Sequence, residues 1–305
     1  MSIALETSEL AKRYGSTWAL RDCSVSIPQG RVAALVGPNG AGKTTLLQLA
    51  IGISKPTAGQ VEVFGWSPHE QPLLVLARVG FVAQDHPLYR GFTVSEMLRV
   101  GRKLNPRWDQ QLARERLDRL GIPVEQRVGR LSGGQQAQVA LVLALAKRPE
   151  LLLLDEPVAS LDPLARREFL QSLMDAVAEG GLTVLLSSHI LADLERVCDY
   201  LVILSASRVQ LAGDIDRIVA DHKLLTGPRE GAERIAARHT VIHERHSNRQ
   251  STLLVAGDRL AAQAACSAEP AWLAETPSLE EIVLAYLGQP VVSSAPAQPR
   301  LEVAS

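Results

Sequence analysis

An α/β fold with a mainly parallel sheet is what this sequence predicts, and three observations predict it. Two short continuous apolar runs, 32–36 and 151–154, are too uniform for half-solvated strands and fit strands buried on both faces. Each passes through a loop into a helical pattern, over 42–51 and 163–179. Beyond them a strand over 183–187 and a helix over 191–198 keep the alternation going, which demands right-handed crossovers.

The flanking elements follow in chain order. Residues 3–12 and 18–27 alternate as strands do and close on Pro28-Gln29-Gly30; with 60–64, bracketed by Gly59 and Gly65, they predict an antiparallel β subdomain. A strand over 79–83 precedes a charged stretch that reads as a helical insert, about 85–147. There Thr93-Val94-Ser95-Glu96 is a capping box, and a helix over 109–120 carries Leu112, Leu117 and Leu120 on one side until Gly121 stops it. Strands over 200–204 and 209–211 close the domain. Domain boundaries are expected at 1–220 for this main unit and 221–290 for a small C-terminal α+β appendix. Strands over 240–243 and 252–255 and an amphipathic helix over 278–287 build the appendix. Residues 291–305, rich in Ser, Ala and Pro, read as a disordered tail.

Composition sets limits. The 305 residues are 46% hydrophobic and 21% charged with a net charge of -1, so the chain lacks the overall positive charge that draws a protein to nucleic acid. No nucleic-acid partner is expected. Cys23, Cys198 and Cys266 are scattered, a poor disulfide or zinc framework that suits a reducing compartment. The densest apolar stretch, 139–146, ends at Lys147, far short of the roughly 20 residues a membrane span needs. The expectation is a soluble chain. His239, His243 and His246 have no metal-ligand spacing, and Arg114, Arg116 and Arg119 with Glu115 and Asp118 read as a solvated helix face.

Chemistry concentrates at two places. Gly37-Pro38-Asn39-Gly40-Ala41-Gly42-Lys43-Thr44 follows a buried strand and opens a helix. Such a loop turns backbone N–H groups inward as a nest for phosphate oxygens, and the helix N-terminus faces the same anion. Lys43 is placed to reach the β- and γ-phosphates and Thr44 to ligate magnesium, with Thr45 beside it in the phosphate-binding set. The second place is the apolar strand ending in Asp155-Glu156. Two carboxylates at the C-terminal end of a buried parallel strand lie where ligands gather in open sheets. Asp155 is placed to hold the magnesium shell and Glu156 to polarise the attacking water. The two motifs together define a P-loop nucleotidase.

Leu131-Ser132-Gly133-Gly134-Gln135 narrows the reading. Alone it is a serine N-cap opening a helix. Lying between the P-loop and the Asp155-Glu156 strand, it resembles the signature of the ATP-binding cassette (ABC) ATPases, a similarity that covers residues 1–220. The resemblance implies further roles. Tyr14 sits where that family stacks an aromatic on adenine. Gln84 resembles the glutamine that touches the magnesium or water region. Ser160-Leu161-Asp162 resembles the loop that crosses to the opposite protomer, and His189 the histidine that contacts the γ-phosphate.

The resemblance also implies a homodimer packed head to tail, each ATP held between one copy's P-loop and the other's Ser132, Gly133, Gly134 and Gln135. It implies ATP and Mg2+ as cofactors and a separate transmembrane permease as partner, which residues 86–92 would meet. The chain would then be cytoplasmic, peripheral on the inner face of the cell membrane. The stretch 278–287 and the appendix resemble extensions of drug- and antibiotic-exporting members, so export is the expected direction. The alternative is a non-transport ABC ATPase of translation or DNA maintenance, but such chains carry two cassettes or a long coiled coil. Gln136-Ala137-Gln138 lacks the basic residue common after the signature, and Ala206-Ser207-Arg208 lacks the hairpin glycine, which leaves that turn's geometry open.

Overall fold

The computed structural model describes residues 2–257 and 271–288. Its contacts divide the chain into two units, Met1–Ile215 and Asp216–Ser305. Cys266 and the tail expected over 291–305 lie outside the described residues.

In the first unit, β1 (Ile3–Tyr14) and β2 (Thr17–Pro28) form a hairpin, and β4 (Ala58–Val63) pairs with the far side of β1, giving a three-stranded antiparallel sheet. The second sheet has six strands. It uses β3 (Val32–Val36), β5 (Val79–Val82), β6 (Leu151–Asp155), β7 (Thr183–Ser188), β8 (Tyr200–Ser205) and β9 (Arg208–Asp214) in the order β5-β6-β7-β3-β8-β9. The first five run parallel and only β9 is antiparallel. Every residue of β3, β6 and β7 is buried, the outcome that the apolar runs of β3 and β6 predict, and β7 buries Thr183, Ser187 and Ser188 as well.

Helix α1 (Lys43–Ala50) contributes Leu46, Leu47 and Leu49 to one cluster with Leu5, Leu10, Leu20 and Ile27 of the antiparallel sheet and Leu35, Leu151 and Leu153 of the parallel one. Fully burying each such leucine stabilises the fold by about 1.5–3 kcal/mol. A short helix α2 (Pro72–Leu76), with proline at its first turn, follows; the sequence reading passes over it because five residues carry no helical period.

Helices α3 (Val94–Leu104), α4 (Gln110–Arg119) and α5 (Gly133–Ala146) make the helical part. The predicted capping box at α3 is present: Thr93 Oγ1 accepts from the Glu96 N–H at 3.1 Å and the Glu96 carboxylate accepts from the Thr93 N–H at 2.8 Å. Asp109 caps α4 and also meets Arg148 at 2.7 Å; the backbone N–H of Leu112 first and the guanidinium second hold its carboxyl below the usual range. After β6 come α6 (Pro163–Ala178) and, past β7, α7 (Leu191–Leu194).

One expectation changes here, and the turn geometry left open by the sequence is defined. The helix expected over 191–198 stops at Leu194, because Asp199 must reach back to the start of β3, accepting from the Val32 N–H at 2.9 Å and from Arg31. The hairpin over 206–208 makes its turn without glycine, with Ala206 and Ser207 both left-handed at φ 48° and 63°. Ser207 is pinned there: its hydroxyl donates to the Trp18 carbonyl at 2.9 Å, and its carbonyl accepts from the Arg21 N–H at 2.7 Å.

Helix α8 (Ile215–Ala220) lies at the division between the units. The second unit is a four-stranded antiparallel sheet, order β11-β12-β10-β13, of β10 (His222–Pro228), β11 (Thr240–His246), β12 (Gln250–Ala256) and β13 (Leu273–Glu275). Helices α9 (Ala232–Ala236) and α10 (Leu279–Gly288) complete it. Leu225, Ile235, Leu253, Val255 and Trp272 form its core. β10, α9 and β13 are absent from the sequence reading. His222, 3% exposed, joins two elements: its Nδ1–H donates to the Ile218 carbonyl at 2.7 Å, and its Nε2 accepts from the Tyr286 hydroxyl at 3.0 Å.

Candidate nucleotide site

The loop between β3 and α1 is shaped by close approaches. A Cβ on Gly37 would stand 2.1 Å from the Leu204 carbonyl oxygen, and one on Gly42 would stand 2.3 Å from that of Ala19. Gly42 also takes φ 109°, which L side chains rarely adopt. Its carbonyl accepts from the Leu46 N–H at 2.9 Å, so α1 starts at once. Lys43 is only 5% exposed. Its ammonium donates to the carbonyls of Gly37 at 2.8 Å and Pro38 at 3.3 Å and stands 3.1 Å from Glu156 Oε1.

The strand-end carboxylates face the same place. Glu156, 9% exposed, has φ 45°, a left-handed turn immediately before Pro157. A residue held there costs roughly 1–3 kcal/mol, which the surroundings must offset. They do so on both carboxylate oxygens: Oε1 meets Lys43, and Oε2 meets His189 Nδ1 at 2.9 Å. A carboxylate can only accept, so the His189 proton sits on Nδ1 and Nε2 is the ring atom left for a further group. Asp155, 3% exposed, accepts from the Ser187 hydroxyl at 2.9 Å; that same hydroxyl accepts from the Glu156 N–H at 2.8 Å. Ser187 is the functional residue that the sequence reading misses. Its signal is the polar triplet Ser187-Ser188-His189 ending an apolar strand.

Lys43, Glu156, His189 and Asp155 therefore form one connected cluster. Thr44, Asp155 and Gln84 line one cleft. A buried ammonium, N–H groups of a glycine-rich loop, a helix start, and a hydroxyl and carboxylate in one cleft fit a magnesium-bearing polyphosphate.

The remaining expected residues lie elsewhere in the first unit. Tyr14 is half exposed; its hydroxyl is 3.5 Å from Ser54 Oγ, and the Lys12 ammonium sits 5.0 Å from its ring centre. Ser132 caps α5 in a full capping box, accepting from the Gln135 N–H at 3.2 Å while Gln135 Oε1 accepts from the Ser132 N–H at 3.0 Å. Asp162 caps α6 by accepting from the N–H groups of Leu164 and Ala165, both at 3.0 Å. Gly134 connects the two helix starts, since a Cβ there would lie 2.7 Å from the Ala165 Cβ. Ser132, Gly133 and Asp162 are all exposed. Among the described residues, the Ser132 hydroxyl bonds only within its own capping box, and the Ser132 carbonyl accepts from the Gln136 N–H at 2.9 Å.

A strand–glycine loop–helix phosphate cradle beside a parallel-strand carboxylate pair defines a P-loop nucleoside triphosphatase. Residues 20–159 match the family described as ABC transporter. The chain is 31% identical over 224 residues to the bacitracin transport ATP-binding protein of Bacillus licheniformis, covering 73% of this chain and 72% of that one. It is 37% identical over 211 residues to the Nod factor export ATP-binding protein I of Rhizobium johnstonii, covering 68% of each. An ATP-binding subunit of an ABC transporter superposes with TM-score 0.63 at 31% identity, over 70% of this chain and 91% of that structure. The subunit cbiO1 of Clostridium perfringens, part of the ABC transporter complex cbiONQ, gives 0.63 at 27%, over 78% and 96%. The chain belongs to the ABC transporter ATP-binding family: it is an ATP-binding and hydrolysing subunit.

Proposed function

We propose that two copies of this chain close head to tail on ATP and drive export through a separate membrane chain. The observation that carries this reading is the exposed edge made by Ser132, Gly133 and Asp162, whose polar groups serve no partner beyond their own helix starts. Gly134 packed on Ala165 makes that edge one solid piece. A second copy's P-loop gives it a purpose. Ser132 and the N–H groups opening α5 would donate to the γ-phosphate held by the other copy's Lys43, aided by the helix dipole.

Within one copy, the residues divide the work. Tyr14 takes the base. Residues 37–45 hold the phosphates. Magnesium, when bound, offsets phosphate charge, and Thr44, Asp155 and Gln84 are the residues that would hold it. Glu156 accepts the proton of the attacking water, and His189, whose N–H meets Oε2 before nucleotide arrives, turns that N–H to the γ-phosphate once ATP is in place. Lys43 leaves Glu156 for the phosphate it binds.

The membrane partner follows from kinship with transport subunits and from this chain having no described helix long and apolar enough to cross a membrane. A cleft of about 920 Å³ starts at Thr44, Gln84 and Asp155 and continues past His86 to Ile53, Leu76 and Ala144. We assign it to a helix of the permease, which would place the chain on the cytoplasmic face. Export is favoured by the Nod factor export relative.

The test is Glu156→Gln. The variant is expected to bind ATP, hydrolyse it at least about 100-fold more slowly and elute as a nucleotide-bound dimer. A monomer under saturating ATP and magnesium refutes the paired site.

A further inference from the structure

The helix seated in that cleft has a charge requirement, an inference that rests on the docking reading above. We propose that it carries a carboxylate at the end that meets Lys147, and that this ion pair fixes its direction in the groove.

One wall of the cleft is a single face of α5: Ala140, Leu143, Ala144 and Lys147, at helical spacing. Three are apolar and the last is a cation. Lys147 has no carboxylate within 4 Å among the described residues, although Glu150 lies three positions on and Asp109, whose N–H donates to the Ala146 carbonyl, is close in space. Each is taken by an arginine: Asp109 by Arg148, and Glu150 by Arg78 and Arg107. The arrangement satisfies every neighbour and leaves the groove's ammonium alone. Burial already pushes Lys147 below the ordinary lysine range. An apolar helix laid over it would strip its remaining water, and a buried unpaired cation opposes binding unless the helix brings an anion.

The opposite end of the cleft has the opposite sign. Asp85 lines it, is exposed, and has no cation within 4 Å among the described residues. The strand β5 and its continuation separate the ends. Lys147 belongs with the start of β5, where Gly80 approaches the Ala144 carbonyl, and Asp85 lies past its end. Only about four steps of roughly 3.3 Å, to Ala83, are extended before the chain turns at Gln84 and Asp85, which gives about 13 Å, the length of about nine helical residues. Ile53 at 70% and Leu76 at 41% exposure supply apolar surface along the way. The occupant is thus an amphipathic helix of about two to three turns, acidic where it meets Lys147 and basic where it meets Asp85.

The test uses the full chain purified in detergent with the membrane protein encoded beside its gene. Lys147→Glu is expected to weaken the complex about tenfold or more while the free subunit's ATPase stays unchanged. Exchanging one cytoplasmic carboxylate of the membrane chain for lysine should restore it. Ala144→Arg, which fills the groove, reports on docking separately. If Ala144→Arg breaks the complex but Lys147→Met and Lys147→Glu bind like wild type, the groove stands and the ion pair is overturned. If Ala144→Arg binds normally, both the docking reading and the ion pair fall.

Discussion

The ammonium of Lys43 and the carboxylate of Glu156 stand 3.1 Å apart, with 5% and 10% of their side chains exposed. Phosphate-binding cation and candidate base thus neutralise each other, so ATP must part them to enter. Removing one partner strands the other in a dry site. Lys43→Met should abolish ATP binding and lower stability by about 3 kcal/mol. Lys43→Met with Glu156→Gln should recover part of that loss. Urea denaturation of the three proteins checks the non-additivity; an additive result means the pair contributes nothing.

Ser187 supports both strand-end acids through one oxygen, donating to Asp155 and accepting from the Glu156 N–H. Ser187→Ala leaves a buried N–H beside a left-handed backbone without its partner, at a cost of about 1–3 kcal/mol. The expected result is a kcat lowered about tenfold with KM for ATP little changed, because the phosphate cradle is intact. A KM effect with unchanged kcat counts against this role.

Gly134 and Ala165 hold the starts of α5 and α6 together. Gly134→Ala puts a methyl 2.7 Å from the Ala165 Cβ, so the helices must separate. Destabilisation of about 1–3 kcal/mol is expected, together with loss of ATP-driven dimerisation. Adding Ala165→Gly should restore both. Thermal melts and light scattering read the outcome.

His222 sets a pH dependence. Burial, chiefly, lowers it from its ordinary 6.5. Above that value neither folded nor unfolded chain carries the proton, and the contribution is level. As pH falls through 6.5 the unfolded chain takes up a proton that the native His222 refuses, so stability drops, by at most about 1.4 kcal/mol per pH unit. His222→Gln should flatten part of the fall in urea midpoint between pH 7.5 and 5.5. His86 and His239, lowered by burial as well, keep the remainder.

Much of this was legible in the residues. The P-loop, Asp155-Glu156 and the caps at Thr93, Ser132 and Asp162 are local devices: their spacing alone dictates which N–H meets which oxygen. What escaped is set by distant neighbours. Ser187 reads as an ordinary strand residue until β6 and β7 pair and bring it to Asp155. Gly134 matters because of Ala165, 31 positions away in sequence and on another helix. β10 follows α8 with no glycine or proline between them, so nothing in composition marks where helix ends and strand begins.

The left-handed turn at Ala206 and Ser207 has a reach beyond its own hairpin. It grips β2 at Trp18 and Arg21, while Ala19 of that strand lies against Gly42 of the P-loop. β2 in turn pairs with β1 as far as Tyr14. Under the proposed function, the hold on a base and the hold on its phosphates are therefore fastened to one frame, like the fixed jaws of a calliper. On that proposal a nucleotide would be gauged from the base outward, and the last phosphate would arrive at the same depth each time. Whatever distinguishes a triphosphate from a diphosphate is then presented at the open side of the jaw, where an approaching second molecule can sense it.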